Sequence, residues 1–177
     1  AYALEDSVMR RERLTREAQG LPNEAMEALN KQDADTAIKL YTKAIDSGAF
    51  RGQPDTLGQI YYGRGLAYRL KKDCANAIPD FDKAAELITK GDVFFSRAAC
   101  HLEMNQEDKA LADFDLAIKA DPEAPAYRKA RCILVFNKKD FANALPDCEK
   151  ALAAAPDDKN LLLAASQAAE QTGNRPR

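Results

Sequence analysis

The sequence predicts an all-α chain built from repeated helix hairpins, and three observations carry that prediction. The segments Ala77-Ile-Pro-Asp-Phe-Asp-Lys-Ala84, Ala110-Leu-Ala-Asp-Phe-Asp-Leu-Ala117 and Ala144-Leu-Pro-Asp-Cys-Glu-Lys-Ala151 begin 33 and then 34 residues apart, and Ala37-Ile-Lys-Leu-Tyr-Thr-Lys-Ala44 lies 40 residues upstream of the first. Roughly a dozen residues before each block stands a second apolar segment at helical spacing. A short polar turn separates the members of each pair: Lys31-Gln-Asp33, Lys71-Lys-Asp73, Asn105-Gln-Glu107 and Lys138-Lys-Asp140. A fixed period near 34 residues marks a stacked array, because no single hairpin can bury its apolar face alone.

Composition bounds the rest. The chain has 177 residues, 46% of them hydrophobic and 31% charged, which is enough apolar surface to fold and leaves no room for two unrelated domains. Lys plus Arg number 26 against 28 Asp plus Glu, a net charge of −2. That balance removes the electrostatic attraction on which nucleic-acid affinity rests, so no nucleic-acid partner is expected. The longest apolar runs, Ile133 to Phe136 and Ala151 to Ala155, are far shorter than the ~18 residues that cross a bilayer. The opening Ala1-Tyr2-Ala3 is too short to read as a remnant of an export signal, and the compartment, cytoplasmic or exported, stays open.

From the N-terminus, residues 1–19 read as a helix or arm whose apolar positions Leu4, Val8, Met9, Leu14 and Ala18 form a thin stripe amid Arg10, Arg11, Arg13 and Arg16. Gly20-Leu21-Pro22 separates it from the first hairpin. Four hairpins follow at about 20–51, 58–91, 91–124 and 125–158. The extra residues of the first interval fall in Ser47 to Thr56, where Gly48, Gly52 and Pro54 predict a lengthened loop. Residues 159–177 hold a capping helix, Lys159 to Thr172 with Leu161, Leu162, Leu163, Ala165 and Ala168, stopped by Gly173.

The recurring positions resemble the tetratricopeptide repeat (TPR) family, whose units carry an aromatic, a small residue and an aromatic on helix A, then Ala, aromatic, Ala and Pro on helix B. The second repeat has Tyr61, Gly65, Tyr68, Ala77, Phe81 and Ala84, with Thr89 in place of the Pro. The third has Phe94, Ala98, Ala110, Phe114, Ala117 and Pro122, with His101 at the second aromatic site. The fourth keeps Ala144, Ala151 and Pro156 and places Cys132 and Cys148 at small and aromatic sites. The first keeps Ala25, Ala37, Tyr41 and Ala44. The resemblance covers residues 18–158 and implies a right-handed α–α superhelix, a TPR solenoid of four hairpins flanked by the N-terminal and capping helices.

Arg64, Arg97 and Arg131 recur on helix A, and Asp80, Asp113 and Asp147 recur on helix B of the same repeats. Antiparallel pairing sets each Arg opposite its own Asp, and the first repeat, with Glu24 and Leu40 there, lacks both. Structural ion pairs are therefore expected rather than an anion-binding row. Pro79 and Pro146 either interrupt helix B or lie in its first turn behind Asn76 and Asn143 as N-caps.

Little else points to chemistry. His101 is the one histidine, so no histidine-based catalytic or metal cluster can assemble, and packing is its expected role. Cys74, Cys100, Cys132 and Cys148 form no C-x-x-C pair. Cys132 and Cys148 face each other across the fourth hairpin and are expected as small buried thiols, with a disulfide as the alternative in an oxidising compartment. No phosphate loop, nucleophile elbow or zinc-protease motif occurs. No catalytic residue, metal or cofactor is expected.

In TPR proteins helix A forms the concave wall. The corresponding positions are Met26 and Leu29; Tyr62, Leu66, Arg69 and Leu70; Phe95, Ala99 and Leu102; and Lys129, Ile133, Phe136 and Asn137. This wall is mainly apolar and aromatic, which suits a helix or extended segment of a partner protein. The basic clamp with which TPR co-chaperones hold a C-terminal carboxylate is missing, since its places are taken by Tyr62, Leu66, Ser96, Ala126 and Ala130, or by Pro22, Met26, Gly63, Asp92 and Arg97. The resemblance thus implies a non-enzymatic interaction scaffold. The alternative is a self-assembling protein that uses residues 1–19 as an intermolecular arm.

Overall fold

The structure, a computed structural model, describes residues 2–173, with side chains from residue 6 onward. The side chain of Leu4 and tail residues 174–177 lie outside the described residues. The described residues form ten helices and no strand: α1 (Tyr2–Ala18), α2 (Leu21–Asn30), α3 (Ala34–Asp46), α4 (Pro54–Leu70), α5 (Cys74–Leu87), α6 (Gly91–Glu103), α7 (Glu107–Ala120), α8 (Pro125–Asn137), α9 (Phe141–Ala154) and α10 (Lys159–Gln171). They divide into two compact units, Ala1–Thr89 and Lys90–Arg177.

In the first unit α2 pairs with α3 and α4 with α5, and α1 reaches the core through Ala18, which is 2% exposed. The recurring alanines Ala25, Ala37, Ala44, Ala67, Ala77 and Ala84 are fully buried, so the paired backbones approach closely, while Tyr41 packs beside Gly63 of the next hairpin and Phe81 beside Gly65 of its own. In the second unit α6 pairs with α7 and α8 with α9. Ala98, Ala110, Ala117 and Ala144 are fully buried, Ala98 and Ala110 beside Phe114 and Leu134. Helix α10 seals the last hairpin by burying Leu161, Ala164 and Ala168 against Cys132, Val135, Leu145 and Cys148.

Every hairpin turns in the same way. Gln32, Lys72, Asn105 and Lys139 adopt positive φ between 58 and 62°. In each turn the next residue's N–H reaches back five residues and its own N–H three, as in Asp73 N to Tyr68 O at 3.0 Å and Lys72 N to Arg69 O at 2.9 Å. This is the Schellman closure, which satisfies the orphan carbonyls at a helix end. Aspartate then caps the following helix: Asp33, Asp73 and Asp140 accept from the backbone N–H three residues on.

These turns decide one open reading, in favour of prolines inside helix B, and correct one expectation. Asn76 and Asn143 do not cap helix B; both donate, from backbone and side chain, to Asp73 and Asp140. Pro79 and Pro146 consequently sit inside α5 and α9 rather than in the first turn. In the third hairpin the turn ends one residue earlier than predicted, because Gln106 is the N-cap residue and Glu107 already begins α7. The expected loop through Thr56 is also shorter than its composition indicated. Helix α4 starts at Pro54, whose fixed φ suits a first helical position, and runs 17 residues where α6 and α8 run 13.

Candidate functional site

The arginine–aspartate ladder can be read directly. Arg64 Nε and Nη2 donate to Asp80 Oδ2 and Oδ1 at 2.7 and 2.8 Å, and Arg97 donates to Asp113 at 2.9 and 2.5 Å. Arg131 donates to Asp147 at 2.5 and 2.9 Å. The three aspartates are buried, 3–4% exposed, and each pair has the planar bidentate form that a guanidinium and a carboxylate share. The Asp80 hydrogen bond raises the Arg64 pKa above its ordinary value, and that of Asp147 does the same for Arg131. The sequence reading missed two members: Arg128 also donates to Asp147 at 3.2 Å, and Arg131 reaches Asp115 at 2.6 Å.

His101 is 8% exposed, with Nδ1 donating to Gln106 Oε1 at 2.8 Å and Nε2 lying 3.6 Å from Asp113. Its neighbours are thus those of a packed, hydrogen-bonded core residue, and no cluster of three or more metal-ligating side chains occurs among the described residues. Cys132 and Cys148 are joined in a disulfide across α8 and α9, their Cα atoms 5.2 Å apart, which corrects the expectation of two buried thiols. Both occupy positions where the close approach of two helices brings the sulfur atoms together, and that approach was legible in the repeat register while the oxidation state was not.

The predicted wall residues fall in both units. In the first, Met26 and Leu70 are 51 and 42% exposed, Tyr62, Leu66 and Arg69 are half-buried, and Leu29 packs against the hairpin core. In the second, Phe95 stacks at 5.8 Å from Phe114 and 5.2 Å from Tyr127, and Leu102 packs beside it with Ala99 half-buried. Ile133 packs on the core that α10 completes, Phe136 meets Phe141 edge-on at 5.5 Å, and Asn137 is exposed. Lys129 hydrogen-bonds Asp158, the cap of α10, and with the Leu161 N–H it holds that carboxyl below its ordinary pKa. The most exposed apolar side chains of the predicted wall therefore belong to α2 and α4.

Between α2, α3 and α4 lies a cavity of about 280 Å³, with Met26 and Ile60 as apolar walls, Tyr41 as floor and Asn23, Asp55 and Gln59 at the rim. Of these only Met26 was expected in a binding surface. Tyr41 reads in sequence as a core aromatic, and Asp55 lies in the stretch assigned to a loop. No helix of the described residues is long and apolar enough to cross a membrane.

Among solved structures, YrrB, described as a TPR protein with an unusual peptide-binding site, superposes with a TM-score of 0.75 at 20% identity, covering 89% of this chain and 79% of its own. MamA superposes at 0.73 and 16% identity, covering 89 and 84%. Among curated proteins, the serine/threonine-protein phosphatase 5 of Rattus norvegicus is 29% identical over 135 residues, 72% of this chain. The photosystem I assembly protein Ycf3 of Synechococcus sp. (strain WH7803) is 27% identical over 84 residues, 45% of this chain and 48% of its own. This chain spans 25% of the length of the phosphatase. The tetratricopeptide repeat model matches residues 23–92 and 95–159. With more than half of its length matched in register with the hairpins described above, this protein belongs to the tetratricopeptide repeat family, whose helix hairpins serve as scaffolds for protein–protein interaction.

Proposed function

We propose that the chain is a non-enzymatic scaffold that binds an apolar helix or extended segment of a partner protein on its helix-A surface. The observation that carries this reading is the exposure of Met26 and Leu70 on α2 and α4, beside half-buried Tyr62 and Leu66. Large apolar side chains left standing at helix surfaces, each anchored by a buried hairpin behind it, are the kind of anchor that peptide-binding grooves use. The peptide-binding site named for YrrB supports the same reading. The test is a displayed peptide library panned against the folded chain and against Leu70→Glu, whose exposed position lets the fold survive. Selected peptides should bind the parent and lose about tenfold or more in affinity against the variant, because a charge is then desolvated in the contact. Equal binding to both would overturn the groove.

A second reading is self-assembly through α1, favoured by Val8, Met9 and Leu14, which stand 49, 67 and 43% exposed on that helix. Removing residues 1–19 should then abolish an oligomer seen by sedimentation; a sedimentation coefficient that indicates monomers with and without the arm would overturn it.

A further inference from the structure

We propose that the cavity between α2, α3 and α4 is a receptor for an arginine side chain of the partner segment, a reading that rests on the groove proposed above and names what the first unit recognises. The cavity is built by a feature that α6 and α8 lack. Helix α4 carries a whole additional turn at its N-terminus, and that turn supplies Asp55 to the rim.

The polar groups around the cavity have no protein partner and are open to solvent. Tyr41 is 97% buried by its 3% exposure, it lines the cavity, and its hydroxyl has no hydrogen-bond partner among the described residues. No buried side-chain nitrogen or oxygen among the described residues lacks a partner, so the Tyr41 hydroxyl opens onto the cavity, where a ligand donor can take the place of water. The side chains of Asn23, Asp55 and Gln59 likewise have no partner among the described residues. Burial raises the Tyr41 pKa, so the phenol stays neutral and able to accept as well as donate.

Charge selects the occupant. Asp55 is the one charged residue of the lining, and it is unpaired, whereas Asp35, Asp115 and Asp158 each hold a Lys or Arg. The cavity thus presents a carboxylate, two amide oxygens and a phenol oxygen above the apolar sides of Met26 and Ile60. A guanidinium has five donors in one plane and a methylene stem that tolerates apolar walls, which matches this set; an ammonium is a compact, strongly hydrated point charge and matches it less well.

The test is a titration of the full chain, followed by the backbone amide signals in NMR, with N-acetyl-arginine amide, its uncharged isostere N-acetyl-citrulline amide, and N-acetyl-lysine amide. Arginine amide should give saturable shifts at Asn23, Asp55 and Gln59, with citrulline and lysine amides weaker by about tenfold and severalfold. Asp55→Asn should weaken arginine amide by about tenfold, and Tyr41→Phe, which keeps the ring, by a few-fold. Equal binding of arginine and citrulline amides, shifts scattered over acidic residues of both units, or no effect of Asp55→Asn would overturn the proposal. Leu70→Glu lies outside the cavity and separates the two readings. Arginine amide that still binds this variant while no library peptide binds the parent overturns the groove and supports the cavity. Peptides that bind the parent, fail on Leu70→Glu and carry no arginine at a fixed position overturn the cavity alone.

Discussion

The end of the Tyr41 ring occupies the space beside Gly63 so closely that a Cβ on that glycine would stand 2.4 Å from both Cζ and Oη. Gly63 is buried in the middle of α4, where alanine would add about 1 kcal/mol of helix propensity. The steric term opposes this and is larger, about 1–3 kcal/mol for a forced shift in a packed core. Gly63→Ala should therefore lower stability by up to about 2 kcal/mol in urea unfolding, and it should also perturb the cavity that Tyr41 floors. An unchanged or raised midpoint would show that the tyrosine swings away freely.

Asp147 accepts from two guanidiniums, Arg131 at 2.5 and 2.9 Å and Arg128 at 3.2 Å, while itself buried. Removing its charge leaves two arginines, one 25% and one 16% exposed, facing a neutral side chain. Asp147→Asn should cost about 2–4 kcal/mol, toward the lower part of the range for broken buried pairs because both arginines retain some solvent. By contrast Glu17→Gln, which removes the partner of Arg13 at 3.9 Å on the surface of α1, where the two side chains are 70 and 65% exposed, should be neutral within about 0.5 kcal/mol. Equal losses at the two sites would refute the burial argument.

What the sequence showed, and what it hid, divides along a physical line. Arg64 and Asp80, Arg97 and Asp113, and Arg131 and Asp147 are each 16 residues apart, and a hairpin of fixed turn length converts one such separation into one cross-helix contact. Cys132 and Cys148 share the separation of 16, so their meeting was legible, but a disulfide depends on redox conditions that residue spacing does not encode. Asn76 and Asn143 left two readings of the prolines open because Asn and Asp are equivalent as caps, and only the backbone of the turn decides which is placed to accept. The cavity was hidden for a different reason. It depends on the additional turn of α4, and Gly52 and Pro54 mark a turn as well as they mark a helix start.

Lys72 adopts φ of 62° at the turn between α4 and α5. The left-handed region costs a residue with a Cβ about 1–2 kcal/mol, whereas glycine enters it freely and loses about 0.5–1 kcal/mol through the unfolded chain. The Schellman bonds use only the backbone, so they survive the change. Lys72→Gly should then stabilise the first unit by about 0.5–1 kcal/mol, read as a higher urea midpoint. Lys72→Ala provides the contrast, since it removes the same exposed side chain and keeps the strain. A gain of equal size in both variants would place the effect in the lost charge and not in the backbone.

The Cys132–Cys148 bond joins α8 to α9 across their turn, with both sulfurs' residues fully buried beside Leu145 and the α10 residues Leu161 and Ala168. Closing a loop of 16 residues should contribute about 3 kcal/mol by restricting the unfolded chain. Because the bond is buried, it should resist reductant in the native state and yield only when the last hairpin opens. Chain purified without reductant and alkylated in denaturant should carry no label on either cysteine, and tryptic peptides containing Cys132 and Cys148 should appear as one cross-linked mass. No cysteine of the chain is free, so reduction is not specific to this bond; the double variant Cys132→Ala with Cys148→Ala should instead keep the helix content with stability lower by about 3 kcal/mol. Full alkylation of both cysteines before reduction would show that the bond does not form. Full stability of that variant would show that α10 and the alanine contacts hold the hairpin closed without the bond.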